Sequence, residues 1–134
     1  MKIQIFDGSV AFAEGTIGRR MDRQAFLRSR IGESSKEVVV NEPWITYNFS
    51  PEPGVACNAI FENNRLHQLC LQLRLPSDDI SGWSDEAERE RLALHDEWLK
   101  AELGKPPYRY AWGQVESSLD PRDGVSDIVL QYAE

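Results

Sequence analysis

A chain of 134 residues with a net charge of −7, 41% hydrophobic and 28% charged, has the size and make-up of one ordinary globular domain spanning residues 1–134. The negative balance excludes general nucleic-acid binding, which needs a basic footprint, and no apolar run approaches the ~18 residues of a membrane span. The opening Met1-Lys2-Ile3-Gln4-Ile5-Phe6-Asp7 has no apolar leader segment, so the expected location is cytoplasmic.

In chain order, Ile3 and Ile5 alternate as in a short strand over 2–6, Asp7-Gly8 reads as a turn, and residues 9–13 read as a return strand. Asp22 is a good helix N-cap, with Met21 and Phe26 placed as a hydrophobic staple, and Gly32 closes that helix near residue 31. Arg19, Arg20, Arg23, Arg28 and Arg30 cluster here, in a segment, residues 1–50, whose balance of 7 basic and 6 acidic residues contrasts with 8 and 16 in the remainder. The bland account of this cluster is a solvated helix face; the sharper one is a docking patch for an acidic partner or phosphate.

Residues 37–49 are strand-like but interrupted by Pro43, which implies an edge strand or a bulge. Val38–Val40 form one short piece. In the next, Ile45, Tyr47 and Phe49 share one face, and Trp44, Thr46 and Asn48 the other. Ser50-Pro51-Glu52-Pro53-Gly54 is a cluster of turn residues.

A first hairpin spans roughly 54–74 around Asn63-Asn64, two residues that tolerate positive φ. An unbroken register makes opposed numbers sum to 127, so Phe61 faces Leu66 and Cys57 faces Cys70. The face carrying Ala56, Ile60, Leu69, Leu71 and Leu73 then reads as core. The mixed face holds Val55, Cys57, Ala59, Phe61, Leu66, Gln68, Cys70 and Gln72. The opposed cysteines fit two packed thiols or, in an oxidising setting, a disulfide.

Pro76 to Trp83 reads as a loop, and Ser84 caps a long helix over 85–103 that Gly104 and Pro106-Pro107 end. Its Leu92, Leu99 and Leu103 form one apolar stripe, and Ala87, Leu94, Trp98 and Ala101 a second. A narrow polar strip of Glu88, Arg91, His95 and Glu102 separates them. A second hairpin, 108–132, turns at Pro121-Arg122-Asp123-Gly124 with opposed numbers summing to 245. Its core face carries Val115, Ile128 and Leu130. On the other face Tyr108, Tyr110 and Trp112 alternate with Gln114 and Glu116, with Gln131 opposite.

Local strand pairing with two helices predicts an α+β fold. It has two layers: a mainly antiparallel sheet of about five to seven strands, with one long and one short helix on one face.

The chain has no glycine-rich phosphate loop, no GxSxG and no HExxH. Two histidines and two cysteines are too few for a structural zinc site, so no metal or cofactor is expected. His95, with Glu88 near it on the helix, is a weak catalytic candidate, because a carboxylate beside an imidazole suits acid–base work. Tyr110, Trp112, Gln114, Glu116 and Gln131 are the candidate binding residues, since Tyr and Trp favour interfaces.

Two functions compete. One is a protein-binding module of immunity, inhibitor or adaptor type, using the polar-aromatic sheet face toward a protein partner, with an acidic balance that suits a basic one. The other is a small-molecule binder or enzyme with a helix–sheet cleft at His95. Self-association through sheet faces or edges is compatible with either. The first requires an exposed patch around Trp112; the second requires His95 in a concave pocket.

Overall fold

The chain is described by a computed structural model over residues 1–79 and 83–133. Three short strands, β1 (Lys2–Ile3), β2 (Val10–Phe12) and β3 (Gly15–Ile17), make a small antiparallel sheet in that order. Two short helices follow, α1 (Arg23–Arg28) and α2 (Arg30–Glu33). The large sheet is built from β4 (Lys36–Asn41), β5 (Trp44–Glu52), β6 (Val55–Glu62), β7 (Arg65–Leu73), β8 (Tyr108–Tyr110), β9 (Gly113–Leu119) and β10 (Ser126–Tyr132). Its order is β4-β5-β6-β7-β10-β9-β8, antiparallel throughout. The long helix α3 (Asp85–Leu103) connects β7 to β8. The α+β fold expected from the sequence is the fold observed, with the helices packed on one face of the sheet.

Local chemistry accounts for most element ends. Asp22 caps α1 by accepting from the backbone N–H of Gln24 (2.8 Å) and Ala25 (3.3 Å). Ser84 caps α3 by accepting from Ala87 N–H at 3.0 Å, and Gly104, at φ 88°, ends it. The helix expected to run from 22 to 31 is instead two. Ser29 breaks it, because its hydroxyl donates to the Phe26 carbonyl (2.6 Å) and accepts from Gly32 N–H (3.1 Å). Gly32 is therefore not the terminating residue. It sits inside α2, where any Cβ would overlap the Phe26 carbonyl. Pro43 likewise lies in the turn between β4 and β5 rather than within a strand. In the region expected to be a loop over 76–83, Pro76–Asp79 forms one 3-10 turn; residues 80–82 lie outside the described residues.

The core sits between the covered face of the large sheet and the elements over it. Phe26 is fully buried, with its ring 5.3–5.5 Å from those of Tyr47, Phe49 and Phe61. Burying an aromatic of this kind contributes roughly 1.5–3 kcal/mol. Ile3, Val10, Phe12 and Ile17 of the small sheet and Leu99 of α3 belong to the same cluster.

The first hairpin departs from its expected register at one residue. Phe61 faces Leu66, as the Asn63-Asn64 turn requires, but His67 is an extra residue, and beyond it Ile60 faces Gln68 and Cys57 faces Leu71. A one-residue bulge exchanges the faces of everything past it. The core face therefore combines Val55, Cys57, Ala59 and Phe61 of β6 with Leu66, Leu69 and Leu71 of β7. The expected Leu-rich core face was right for Leu69, Leu71 and Leu73, the last half-buried and packed against the core, and wrong for Ala56 and Ile60, which lie half-buried on the other face. The same slip sets the cysteines apart: Cys70 faces Asn58, and the two thiols, both free, lie on opposite faces. Burial holds the Cys70 thiol at a pKa of about 11 and raises that of Cys57 as well. The second hairpin keeps its expected register throughout, from Ser126 facing Leu119 to Tyr132 facing Gly113.

Candidate protein-binding face

The face of the large sheet turned away from the helices is a lattice of amides and other small polar groups. Cross-strand pairing lays them in rows. One row runs Gln114, Gln131, Gln68, Ile60 and Thr46; the next runs Glu116, Val129, Cys70, Asn58 and Asn48. Asp127 faces Ser118. Asn48 donates its side-chain amide to Asn58 at 3.0 Å, and Gln68 donates to the Cys70 sulfur at 3.2 Å. These lateral bonds hold the long side chains down without any covering element. Apart from Cys70, the side chains of these rows are half-buried or exposed, and the buried apolar cluster of the sheet strands lies on the opposite face. At the sheet's edge, β4 exposes Val38, Val39 and Val40.

Of the five binding residues named from the sequence, three are on this face: Gln114, Glu116 and Gln131. Tyr110 and Trp112 are not. The stretch read as one strand over 108–119 folds back on itself at Ala111-Trp112, so Tyr110 pairs with Gly113 and Tyr108 with Val115. Gly113, at φ 147°, provides the backbone conformation this reversal uses. Trp112 is 2% exposed. Its indole N–H donates to the Ile5 carbonyl at 2.8 Å, and its ring stacks on Tyr110 at 5.1 Å. Gly8 has no side chain because the Trp112 ring lies against its backbone. Tyr132 completes the joint, donating its hydroxyl to the Gly8 carbonyl at 2.8 Å. The expected exposed aromatic patch is thus an internal clamp between the two sheets. Thr46, Asn48, Asn58, Gln68 and Gln72 take its place on the open face. Alternation along 44–49 already pointed to the first two, and the mixed face of the first hairpin already held Gln68 and Gln72; the bulge at His67 hid Asn58.

The alternative centre, His95, is fully buried. Its Nε2 accepts the backbone N–H of Leu73 at 3.0 Å, so that nitrogen carries no proton, and the proton on Nδ1 is donated to the Ser126 hydroxyl at 3.1 Å. Both nitrogens are occupied. Burial, with Arg91 nearby, pushes its pKa down to about 4. The cleft expected at His95 is filled by an ion network. Arg91 donates to both Asp78 oxygens (2.9 and 2.6 Å), to Glu88 (3.2 and 3.3 Å) and to the Leu73 carbonyl (2.6 Å). Glu88 in turn accepts the Ser126 N–H at 3.0 Å. The strip Glu88, Arg91 and His95, expected to lie between two buried apolar stripes, is itself the buried line of α3, while Leu92, Leu94 and Leu103 are half-buried. No group of three or more His, Cys, Asp or Glu side chains among the described residues is arranged to hold a metal ion. No described helix is long and apolar enough to cross a membrane.

This arrangement predicts a particular pH dependence. Between pH 6.5 and about 4 the unfolded chain protonates His95 and the folded chain does not, so this group removes stability as pH falls, by up to about 3 kcal/mol. Asp127 acts in the opposite sense. Burial raises its pKa from 3.8 to about 6, so the folded chain holds a proton that the unfolded chain releases, and stability rises as pH falls through that window. The two slopes offset each other in the native protein. Asp127→Asn unmasks the histidine: urea denaturation of that variant shows stability declining from pH 6.5 to 4, more steeply than in the native protein. A variant whose stability does not fall over that range contradicts the buried neutral histidine.

No protein-family model matches the chain, and no curated protein matches it in sequence. Among solved structures it is similar to a chain in "Rhs1-CT in complex with cognate immunity protein RhsI1". The TM-score is 0.58 at 14% identity, over 98% of this chain and 86% of the other. At this identity the likeness is one of fold, and it extends over nearly the whole of the present chain.

Proposed function

We propose that the chain, acting as one domain, is a non-enzymatic protein-binding module of the immunity or inhibitor kind, which docks a partner protein on the open face of its large sheet. The observation that carries this reading is the uncovered, amide-rich face centred on Gln114, Gln131, Gln68, Asn58 and Glu116, in a sheet whose opposite face carries the buried apolar cluster. Long amide side chains adapt to a partner's hydrogen-bonding groups without exposing a large apolar patch. The similarity in fold to a chain from a complex of Rhs1-CT with its cognate immunity protein supports the same reading. The net charge of −7, with Glu116 and Asp127 on this face, suits a basic partner surface. His95, with both nitrogens committed inside the core, gives the enzyme reading nothing to act with.

Glu116 and Gln131 are both exposed, so Glu116→Lys with Gln131→Lys tests the face without disturbing the core. The tagged chain and this variant are used to retrieve bound proteins from the source cell, identified by mass spectrometry, and the affinity of the purified partner is then measured for each. The expected result is a basic partner held by the native chain and weakened at least about tenfold by the variant, with an unchanged thermal melt. A partner bound equally well by both defeats the open-face assignment.

A further inference from the structure

The arginines near the N-terminus take no part in the open face. Arg19, Arg20 and Arg65, with His67, line a separate cavity of about 570 Å³ whose walls include Leu66 and Tyr132. Glu62 is the one carboxylate among its described lining residues. Within a protein of net charge −7, neither these three arginines nor the adjacent Arg23 forms an ion pair among the described residues. The nearest acid in sequence, Asp22, is committed to capping α1. The Nε atoms of Arg19 and Arg23 are shut off from solvent without an acceptor. A buried donor left in that state costs free energy, and the usual remedy is a bound anion or water.

The walls are held firmly. The Asn64 carbonyl accepts Arg23 N–H at 2.8 Å, and the Met21 carbonyl accepts Leu66 N–H at 3.0 Å, so the segment before α1 is laced to the β6–β7 hairpin. Arg65 donates from Nη1 to the Arg20 carbonyl at 3.2 Å, which fixes one guanidinium at the wall, and the Trp44 ring meets His67 edge-on at 5.0 Å. Pre-placed guanidinium groups match the oxygens of a phosphate. The volume lies in the range of small-ligand sites and exceeds what inorganic phosphate alone would fill, and Leu66 and Tyr132 are among the residues that line it.

We propose that this cavity binds a phosphorylated small molecule, its phosphate held by Arg19 and Arg65 and its organic part seated against Leu66 and Tyr132. The test is calorimetric titration of the full chain with inorganic phosphate, ribose 5-phosphate, AMP and adenosine. At least one of the two phosphoesters binds more tightly than inorganic phosphate, and adenosine does not bind. Arg19→Gln and Arg65→Gln each weaken that phosphoester by about tenfold or more, while Arg89→Gln on the exposed side of α3 leaves it unchanged. Because Arg65→Gln also removes a structural bond, thermal melts accompany both variants, and Arg19→Gln alone decides if Arg65→Gln fails to fold. Three results overturn the proposal: no binding of any phosphate probe, phosphoesters no tighter than inorganic phosphate, or native affinity in Arg19→Gln.

Discussion

Arg91→Leu lowers the stability of the protein by about 3–5 kcal/mol, the usual consequence of removing one member of a buried ion pair. The side chain is only 8% exposed and satisfies three acceptors at once: the Asp78 carboxylate, the Glu88 carboxylate and the Leu73 carbonyl. Leucine fills some of the volume and takes the guanidinium donors from all three, leaving Glu88 and Asp78 with only a backbone N–H each. The loss does not stay local. Glu88 also holds the start of β10 through Ser126 N–H, and Ser126 holds His95, so the contact between α3 and the end of the sheet loosens as a unit. Arg91→Lys keeps the charge but not the planar fork that reaches both Asp78 oxygens, so its loss is smaller. The bond to Arg91 also keeps the Asp78 carboxyl below its ordinary pKa, so Arg91→Leu raises it toward that value. Urea denaturation of the two variants measures the difference. A change under about 0.5 kcal/mol for Arg91→Leu, the scale of a neutral surface substitution, contradicts the network.

Trp112→Ala is expected to cost a similar amount, about 3–5 kcal/mol, as for other large aromatics removed from a core. The indole fills the space between Gly8, Tyr110 and Tyr132 and ties the two sheets together through the Ile5 carbonyl. Trp112→Phe separates the two contributions. It keeps most of the buried ring and forfeits the hydrogen bond, which leaves the Ile5 carbonyl without that donor at a cost of about 1 kcal/mol. Gly8 offers an independent check from the other side. At φ 75° with the indole against it, it accepts no side chain, so Gly8→Ala also destabilises. Thermal melts and near-ultraviolet circular dichroism report all three. A Trp112→Ala protein that melts like the native one places the tryptophan elsewhere.

Much of the architecture was legible because it rests on neighbours in sequence. Asp22 and Ser84 cap helices through bonds to residues two or three positions on, and Gly104 ends α3 with its own backbone. Asn63 and Asn64 take the positive φ values that a tight turn demands, and the 120–125 turn sets the register of β9 and β10 over seven pairs. Gln114, Glu116 and Gln131 were placed on one face for the same reason.

The errors share a different cause. A bulge at His67 reverses every side chain beyond it, and nothing local to Leu66-His67-Gln68 distinguishes a continuous strand from a bulged one. What selects the bulge is that Leu66, Leu69 and Leu71 reach the core together, against Phe26 and the elements over the sheet. Trp112 reads as a strand residue until Ile5 and Gly8, more than a hundred positions away, supply an acceptor and a surface for its ring. The polar strip of α3 reads as a border because its partners, Leu73, Asp78 and Ser126, come from other elements. Elements, caps and turns thus followed from interactions a few residues long. Which face was buried, and therefore which was left open, depended on satisfying donors, acceptors and apolar area that only the assembled chain brings together.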